Sequence, residues 1–436
     1  MEFRKPKIAH LSNGIPVVLV EDRFTGTVKV KVTFAVGSRH EPPELAGISH
    51  FIEHMVWRGT AKWPEGREIN LLLDGFGAGD NAATDREDTS YHVQIESGQL
   101  PLAVEVLAEI LLNPLFRQEH LDTERTVVLS EASGRLDDKS VLSYDTLYGM
   151  LYPADPLGAN IIGTAETIGR LTRDDMLRFM ALYYGADNVI ISVSGAFDEG
   201  SALRELESRF GCLPLTGMST LARPAAPARP EEPTQAGPHV TMVWQDDANQ
   251  IYLSLGFETK GRDDHRRPAL GLLCNILGGM MSSRLMVEVR EKVGAVYGIG
   301  AHADAHQGTG QMLVMAGIVP EKSDQAIGLI VRELADVRRN GVTAGELARA
   351  KSNIRGRTVR HFEGPHKVAD FYVKAHLFSG GRPTIEQRLL EYEAVTGEQI
   401  QAVADEFFRA SLLHAAVVGP SDDPGPLIAA FGQLGD

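Results

Sequence analysis

Hydrophobic and polar positions divide the chain into strand-like and helix-like stretches. Val28, Val30 and Val32 alternate with Lys29, Lys31 and Thr33, the period of a half-buried strand, so 27–36 reads as a strand. Residues 15–20 form another, entered through the turn signal Ser12-Asn13-Gly14. A loop over 37–43 leads into a helix opening near Leu45, and a second helix is expected over 66–73. Gly75-Phe76-Gly77-Ala78-Gly79 follows a helix and precedes a strand, the wrong order for a dinucleotide loop, and is read as a turn. Residues 81–95 read as two short strands around Asp85-Arg86-Glu87-Asp88, followed by helices over 100–112 and 118–136. A helix over 174–184 and a strand over 188–193 close this half. Residues 214–238 have linker composition, rich in Pro and Ala. Strands at 239–244 and 251–257 then open a second alternation.

The second alternation repeats the first. With one constant offset, Thr172-Arg173-Asp174-Asp175-Met176 aligns with Thr396-Gly397-Glu398-Gln399-Ile400, and Val193-Ser194-Gly195 with Val417-Val418-Gly419. Two homologous domains are therefore expected, over 1–215 and 239–436, with 216–238 linking them. A chain of 436 residues is also too long for one ordinary core.

Candidate chemistry concentrates in Gly47-Ile48-Ser49-His50-Phe51-Ile52-Glu53-His54-Met55. On a helix, His50, Glu53 and His54 project from one face. Two neutral imidazoles can bind one zinc ion, and a carboxylate beside them can take a proton from water. The order H-x-x-E-H is the inverzincin signature. The five residues by themselves fit equally a helix with a surface carboxylate and two partly buried histidines. Zinc held by two histidines needs a third protein ligand, typically a carboxylate. Glu124 and Glu131 share one face of the 118–136 helix, although such pairs are usually just solvated. At the repeat offset, His50 falls on Cys274, Glu53 on Leu277 and His54 on Gly278, so the second half keeps the helix without its ligands.

Composition narrows the classes. Hydrophobic residues make up 43% and charged residues 23%, which fits a folded protein. A net charge of −15 argues against nucleic acid as a partner. Cys212 and Cys274 give no disulfide framework, which suits a cytoplasmic setting. The chain shows no apolar leader and no run long enough for a membrane span, so it is expected to start near Met1 and to have no membrane partner. There is no G-x-S-x-G elbow and no Walker A loop. His302, Asp304 and His306 alternate on a strand; a polar strand face is the better reading than a second metal site. Lys351, Arg355, Arg357, Arg360 and His361 read as a solvated basic stripe.

Over nearly its whole length the chain resembles the M16 metallopeptidases, the pitrilysin or insulinase family, and in particular its short processing-peptidase-like members. In that family the H-x-x-E-H helix is followed at a set distance by a third zinc ligand, and Glu131 falls there. Glu124, seven residues earlier, matches a glutamate that the resemblance places behind the ligands as a support. Asn81-Ala82-Ala83-Thr84 is similar to the edge strand that pairs with substrate backbone, which implies substrate-binding roles for Asn81, Ala82 and Ala83. Ser282-Ser283-Arg284-Leu285 and Arg290-Glu291-Lys292-Val293-Gly294-Ala295-Val296-Tyr297 are similar to a segment whose arginine and tyrosine hold substrate and steady the reacting carbonyl, here Arg290 and Tyr297.

The expected fold is α+β: two homologous domains, each a mostly antiparallel sheet with helices packed on it, as in processing-peptidase-like metallohydrolases. The expected function is a zinc endopeptidase acting on peptide substrates, with His50, His54 and Glu131 as ligands and Glu53 as general base. One chain carries both motifs, so a homodimer would be complete. The alternatives are a heterodimer with a second chain of the same family, in which this subunit depends on its partner, or a non-hydrolytic subunit.

Overall fold

The computed structural model describes residues 3–217, 237–420 and 423–436. Residues 218–236, nearly all of the expected linker, lie outside the described residues. The chain forms two compact units. The first gathers described residues from 1–133, 159–224 and 360–384, the second those from 134–158, 225–359 and 385–436.

The first unit is built on six strands: β1 (Lys7–His10), β2 (Pro16–Glu21), β3 (Thr27–Phe34), β4 (Gly79–Thr84), β5 (Thr89–Glu96) and β6 (Val189–Gly195). Their order is β1-β2-β6-β3-β5-β4. Only β2 and β6 run parallel; the other neighbours are antiparallel. The alternation read in β3 is present: Val28, Val30 and Val32 are buried in the core. With them pack apolar residues of α1 (Ile48–Met55), α2 (Gly66–Gly75), α3 (Leu100–Leu112) and α4 (Gln118–Asp137). α1 alone contributes Ile48, Phe51, Ile52 and Met55, each worth ~1.5–3 kcal/mol when fully buried.

The polar positions of the same alternation are not left to solvent. A helix over Pro365–Ser379 packs on β2 and β6. Its Asp370 pairs with Lys31 at 2.9 Å, and its His366 Nδ1 lies 2.7 Å from Ser194 Oγ.

In the second unit β7 (His239–Trp244), β8 (Ile251–Lys260), β9 (Val296–Ala305), β10 (Thr309–Ile318) and β11 (Leu413–Gly419) are ordered β7-β11-β8-β10-β9. This is the order β2-β6-β3-β5-β4 over again, with β7 and β11 as the parallel pair. α5 (Lys139–Leu151) packs on β8 and β11, burying Leu147, Tyr148 and Leu151 with Leu313 and Ala416. Each sheet thus carries a helix drawn from the other half of the chain.

β1 forms at the strand-like segment Lys7-Ile8-Ala9-His10 near the N-terminus. Two local features depart from the pattern reading. α1 starts at Ile48, not near Leu45, because Gly47 adopts φ +95° and Pro43–Leu45 forms its own 3-10 turn. A Cβ on Gly47 would meet the Ile162 carbonyl oxygen at 2.2 Å, so this glycine is required for space as well as for φ. α5 lies in a stretch where the hydrophobic pattern predicts no helix. Among the described residues no helix is long and apolar enough to cross a membrane.

Candidate metal centre

α1 presents His50, Glu53 and His54 from one face, and α4 brings Glu131 to them. His50 Nε2 lies 3.7 Å from Glu131 Oε1, and His54 Nε2 lies 3.5 Å from Glu131 Oε2. One donor atom from each of the three residues falls within 4.8 Å of the others, and among the described residues no other group of three or more His, Cys, Asp or Glu meets that condition. Donors at ~2.1 Å from a tetrahedral zinc are themselves ~3.4 Å apart. The set is therefore slightly open and of the right chemistry: two imidazoles and a carboxylate.

The buried stripe of α4 runs Leu121, Glu124, Val128. Glu124 occupies an apolar position, and its side chain is 1% exposed, against 46% for Glu131. That contrast separates the two carboxylates of the shared face. Glu124 Oε2 accepts from His54 Nδ1 at 3.1 Å, and its Oε1 is ion-paired with Arg58 Nη2 at 2.5 Å. In the neutral ring this contact favours the proton on Nδ1, which leaves Nε2, on the side of Glu131, available as a ligand. The bond to Glu124 is also the main reason the His54 imidazole is pushed above its ordinary pKa, against the opposing effect of burial. Burial pushes the Glu53 carboxyl up, partly offset by the Thr84 hydroxyl, which donates to Glu53 Oε2. Thr84 is the last residue of β4.

The remaining expected residues divide between the units. Asn81, Ala82 and Ala83 lie on β4, an edge strand that among the described residues pairs only with β5. The Ala82 N–H donates to the Asn81 side-chain oxygen at 2.9 Å, so this N–H faces away from the ladder. Arg290 and Tyr297 are in the second unit. Both are exposed: Arg290 in the helical turn Met286–Glu291, and Tyr297, by 67%, at the start of the edge strand β9. Arg284 has a different part: it is tied to Glu346 at 2.6 Å and Asp336 at 2.7 Å. His302 and Asp304 approach only to 3.8 Å, and His306 Nε2 lies 3.4 Å from Tyr148 Oη instead. The position matching His54 is Gly278, where a Cβ would stand 2.3 Å from the Ala301 nitrogen. No ligand side chain fits there.

Three further residues support the site: Arg58, Thr84 and Glu41. Arg58 lies one helical turn after His54, which was a usable signal, and Thr84 ends the edge-strand motif. Glu41 had no local signal. Its buried carboxylate accepts from the Gly47 N–H at 2.6 Å and the Ser49 N–H at 2.8 Å, satisfying donors at the start of α1 from outside the helix.

Burial raises the Glu41 carboxyl from 4.5 to about 7, against the pull of those donors. The folded state thus binds this proton more tightly than the unfolded state. The stabilisation is complete below 4.5 and is lost as pH rises through about 7. Glu41→Gln keeps the shape and cannot ionise. The stability of the parent relative to this variant is expected to fall by roughly 3 kcal/mol from pH 4 to pH 8. Paired denaturant titrations across that range check it; a constant difference would contradict it.

Comparisons with known proteins agree with this geometry. Residues 16–165 match the family model described as Insulinase (Peptidase family M16), and residues 170–354 match one described as Peptidase M16 inactive domain. An uncharacterized zinc protease of Mycobacterium tuberculosis (strain ATCC 25618 / H37Rv) is 31% identical over 415 residues, covering 95% of this chain and 93% of the relative. A protease from Helicobacter pylori of known structure has a TM-score of 0.84 at 24% identity, covering 95% of this chain and 99% of its own. A structure described as a peptidase M16 inactive domain, from Pseudomonas fluorescens, has a TM-score of 0.82 at 22% identity, covering 95% and 98%. At such identities the two structures establish the two-domain α+β fold.

Proposed function

Because the chain belongs to the insulinase family, peptidase family M16, we propose that it is a zinc-dependent endopeptidase that cleaves peptides or unfolded segments. The observation that carries this reading is the convergence of His50, His54 and Glu131 beside Glu53. Zinc bound by the three ligands supplies Lewis acidity, lowering the pKa of water and polarising a carbonyl. The chain's own residues do the rest. Glu53, held at Oε2 by Thr84, takes the proton on Oε1 and delivers it to the leaving amine. The edge of β4 at Asn81, Ala82 and Ala83 binds an extended peptide by strand addition, which requires the Asn81 side chain to release the Ala82 N–H. Arg290 and Tyr297 are assigned to substrate holding on the strength of the family segment and their exposure. Either can donate to a developing oxyanion.

The match of 170–354 to an inactive-domain model supports a division of labour within one chain. That half has Cys274, Leu277 and Gly278 where the first has His50, Glu53 and His54. The first half keeps every ligand, which favours an active enzyme over a non-hydrolytic subunit. A cytoplasmic homodimer is the assembly this reading favours, since both motifs lie on one chain and Cys212 and Cys274 are free.

Hydrolysis of a quenched peptide library by the purified chain tests the proposal. Activity is expected to vanish with a zinc chelator and to return with added zinc. Activity indifferent to the chelator would overturn the metal mechanism. No activity from the zinc-loaded chain alone, restored by a second family member, would identify a partner-dependent subunit.

A further inference from the structure

We propose that Arg58 is a positioning residue for the metal centre, acting through Glu124 on His54. This rests on the zinc reading above. Arg58 ends a 3-10 turn, Val56–Arg58, that directly continues α1. The backbone after it is tightly held: Gly59 adopts φ +137°, and a Cβ there would lie 2.2 Å from the Pro64 carbonyl oxygen. The Leu115 N–H donates to the Gly59 carbonyl at 3.1 Å. The side chain itself is 45% exposed, yet it reaches a carboxylate that is 1% exposed.

Glu124 uses each oxygen for a separate partner, Arg58 at Oε1 and His54 at Oε2. A buried carboxylate is costly unless its charge is balanced and its lone pairs are engaged. The neutral imidazole of His54 donates a hydrogen bond but does not balance the charge; the Arg58 guanidinium does. By holding Oε1, Arg58 also fixes the carboxylate plane, so that Oε2 faces His54 Nδ1. The imidazole then carries its proton on Nδ1 and keeps Nε2 open to a metal. Without Arg58 the carboxylate is free to turn. The alternative tautomer, with the proton on the ligating nitrogen, then becomes accessible.

The test is a zinc competition titration on the full chain with four variants: Arg58→Met, Arg58→Lys, Glu124→Gln and the Arg58→Met/Glu124→Gln pair. Arg58→Met is expected to weaken zinc binding by up to the ~10–100-fold that loss of Glu124, the outer partner of His54, would cost. Arg58→Lys should recover most of that. In the Glu124→Gln background, Arg58→Met should add little. Affinity within twofold of the parent, or an undiminished effect in the Glu124→Gln background, would overturn the proposal.

A second readout uses no metal. Ring 15N shifts of His54 in the zinc-free protein, read at a pH high enough for the ring to be neutral, should show the Nδ1–H tautomer in the parent and a mixture in Arg58→Met; identical spectra would also overturn it. If the parent binds no zinc, the metal reading fails separately, and the ring spectra still decide the role of Arg58. If Arg58→Met does not fold, Arg58→Gln carries the same expectations.

Discussion

Glu53→Gln is expected to leave the protein folded and its zinc bound, and to lower peptide hydrolysis by ~10²–10⁴-fold, the usual contribution of a positioned general base. The amide has nearly the shape of the carboxylate, so α1 keeps its packing through Ile48, Phe51, Ile52 and Met55. Its oxygen can still accept from Thr84. What it lacks is basicity: an amide does not take up the proton that the attacking water must lose. Glu53 is not among the three residues whose donor atoms converge, so zinc content should stay at the parent value. The check is metal analysis alongside kcat on one peptide. A variant that turns over normally would sink the assignment of the base. One that loses zinc as well as activity would place Glu53 among the ligands.

Glu131→Gln should act in the opposite order, on the metal first. Glu131 is the only carboxylate of the converging group. A neutral amide gives up both the charge and the strong donor that a dication requires. The loss of affinity should exceed the ~10–100-fold expected for an outer hydrogen-bond partner. Activity measured without added zinc should fall to background. Folding should be little affected, because the side chain is 46% exposed and its neighbours on α4 hold the helix in place. Chelator competition and thermal melting, run together, check this. Unchanged zinc affinity would remove Glu131 from the ligand set.

These two residues also show how far the sequence could be read. His50, Glu53 and His54 are legible because helical spacing puts them on one face whatever surrounds them. Glu131 is not legible from spacing alone, since Glu124 shares its face on α4. The choice between them came from resemblance, and what distinguishes them physically is burial, 1% against 46%. That depends on how α4 packs, which its sequence hides: only Leu121 and Val128 join Glu124 in the buried stripe. The β3 alternation and the repetition of the fold in the second half are readable from period and offset. The helix over Pro365–Ser379 and α5 were harder, because no local pattern states which sheet a helix will cover. Lys29 and Lys31 look like a solvent face in the sequence and are instead partly covered. Glu41 stayed invisible for a similar reason: its partners, Gly47 and Ser49, are reached by the turn of a loop, not by helical spacing.

The most direct measurement is anomalous diffraction at the zinc edge from crystals of the zinc-loaded chain. The expected result is a single peak within ~2.0–2.2 Å of His50 Nε2, His54 Nε2 and a Glu131 oxygen. A peak elsewhere in the chain, or none at full zinc loading, would contradict the assignment of the metal centre.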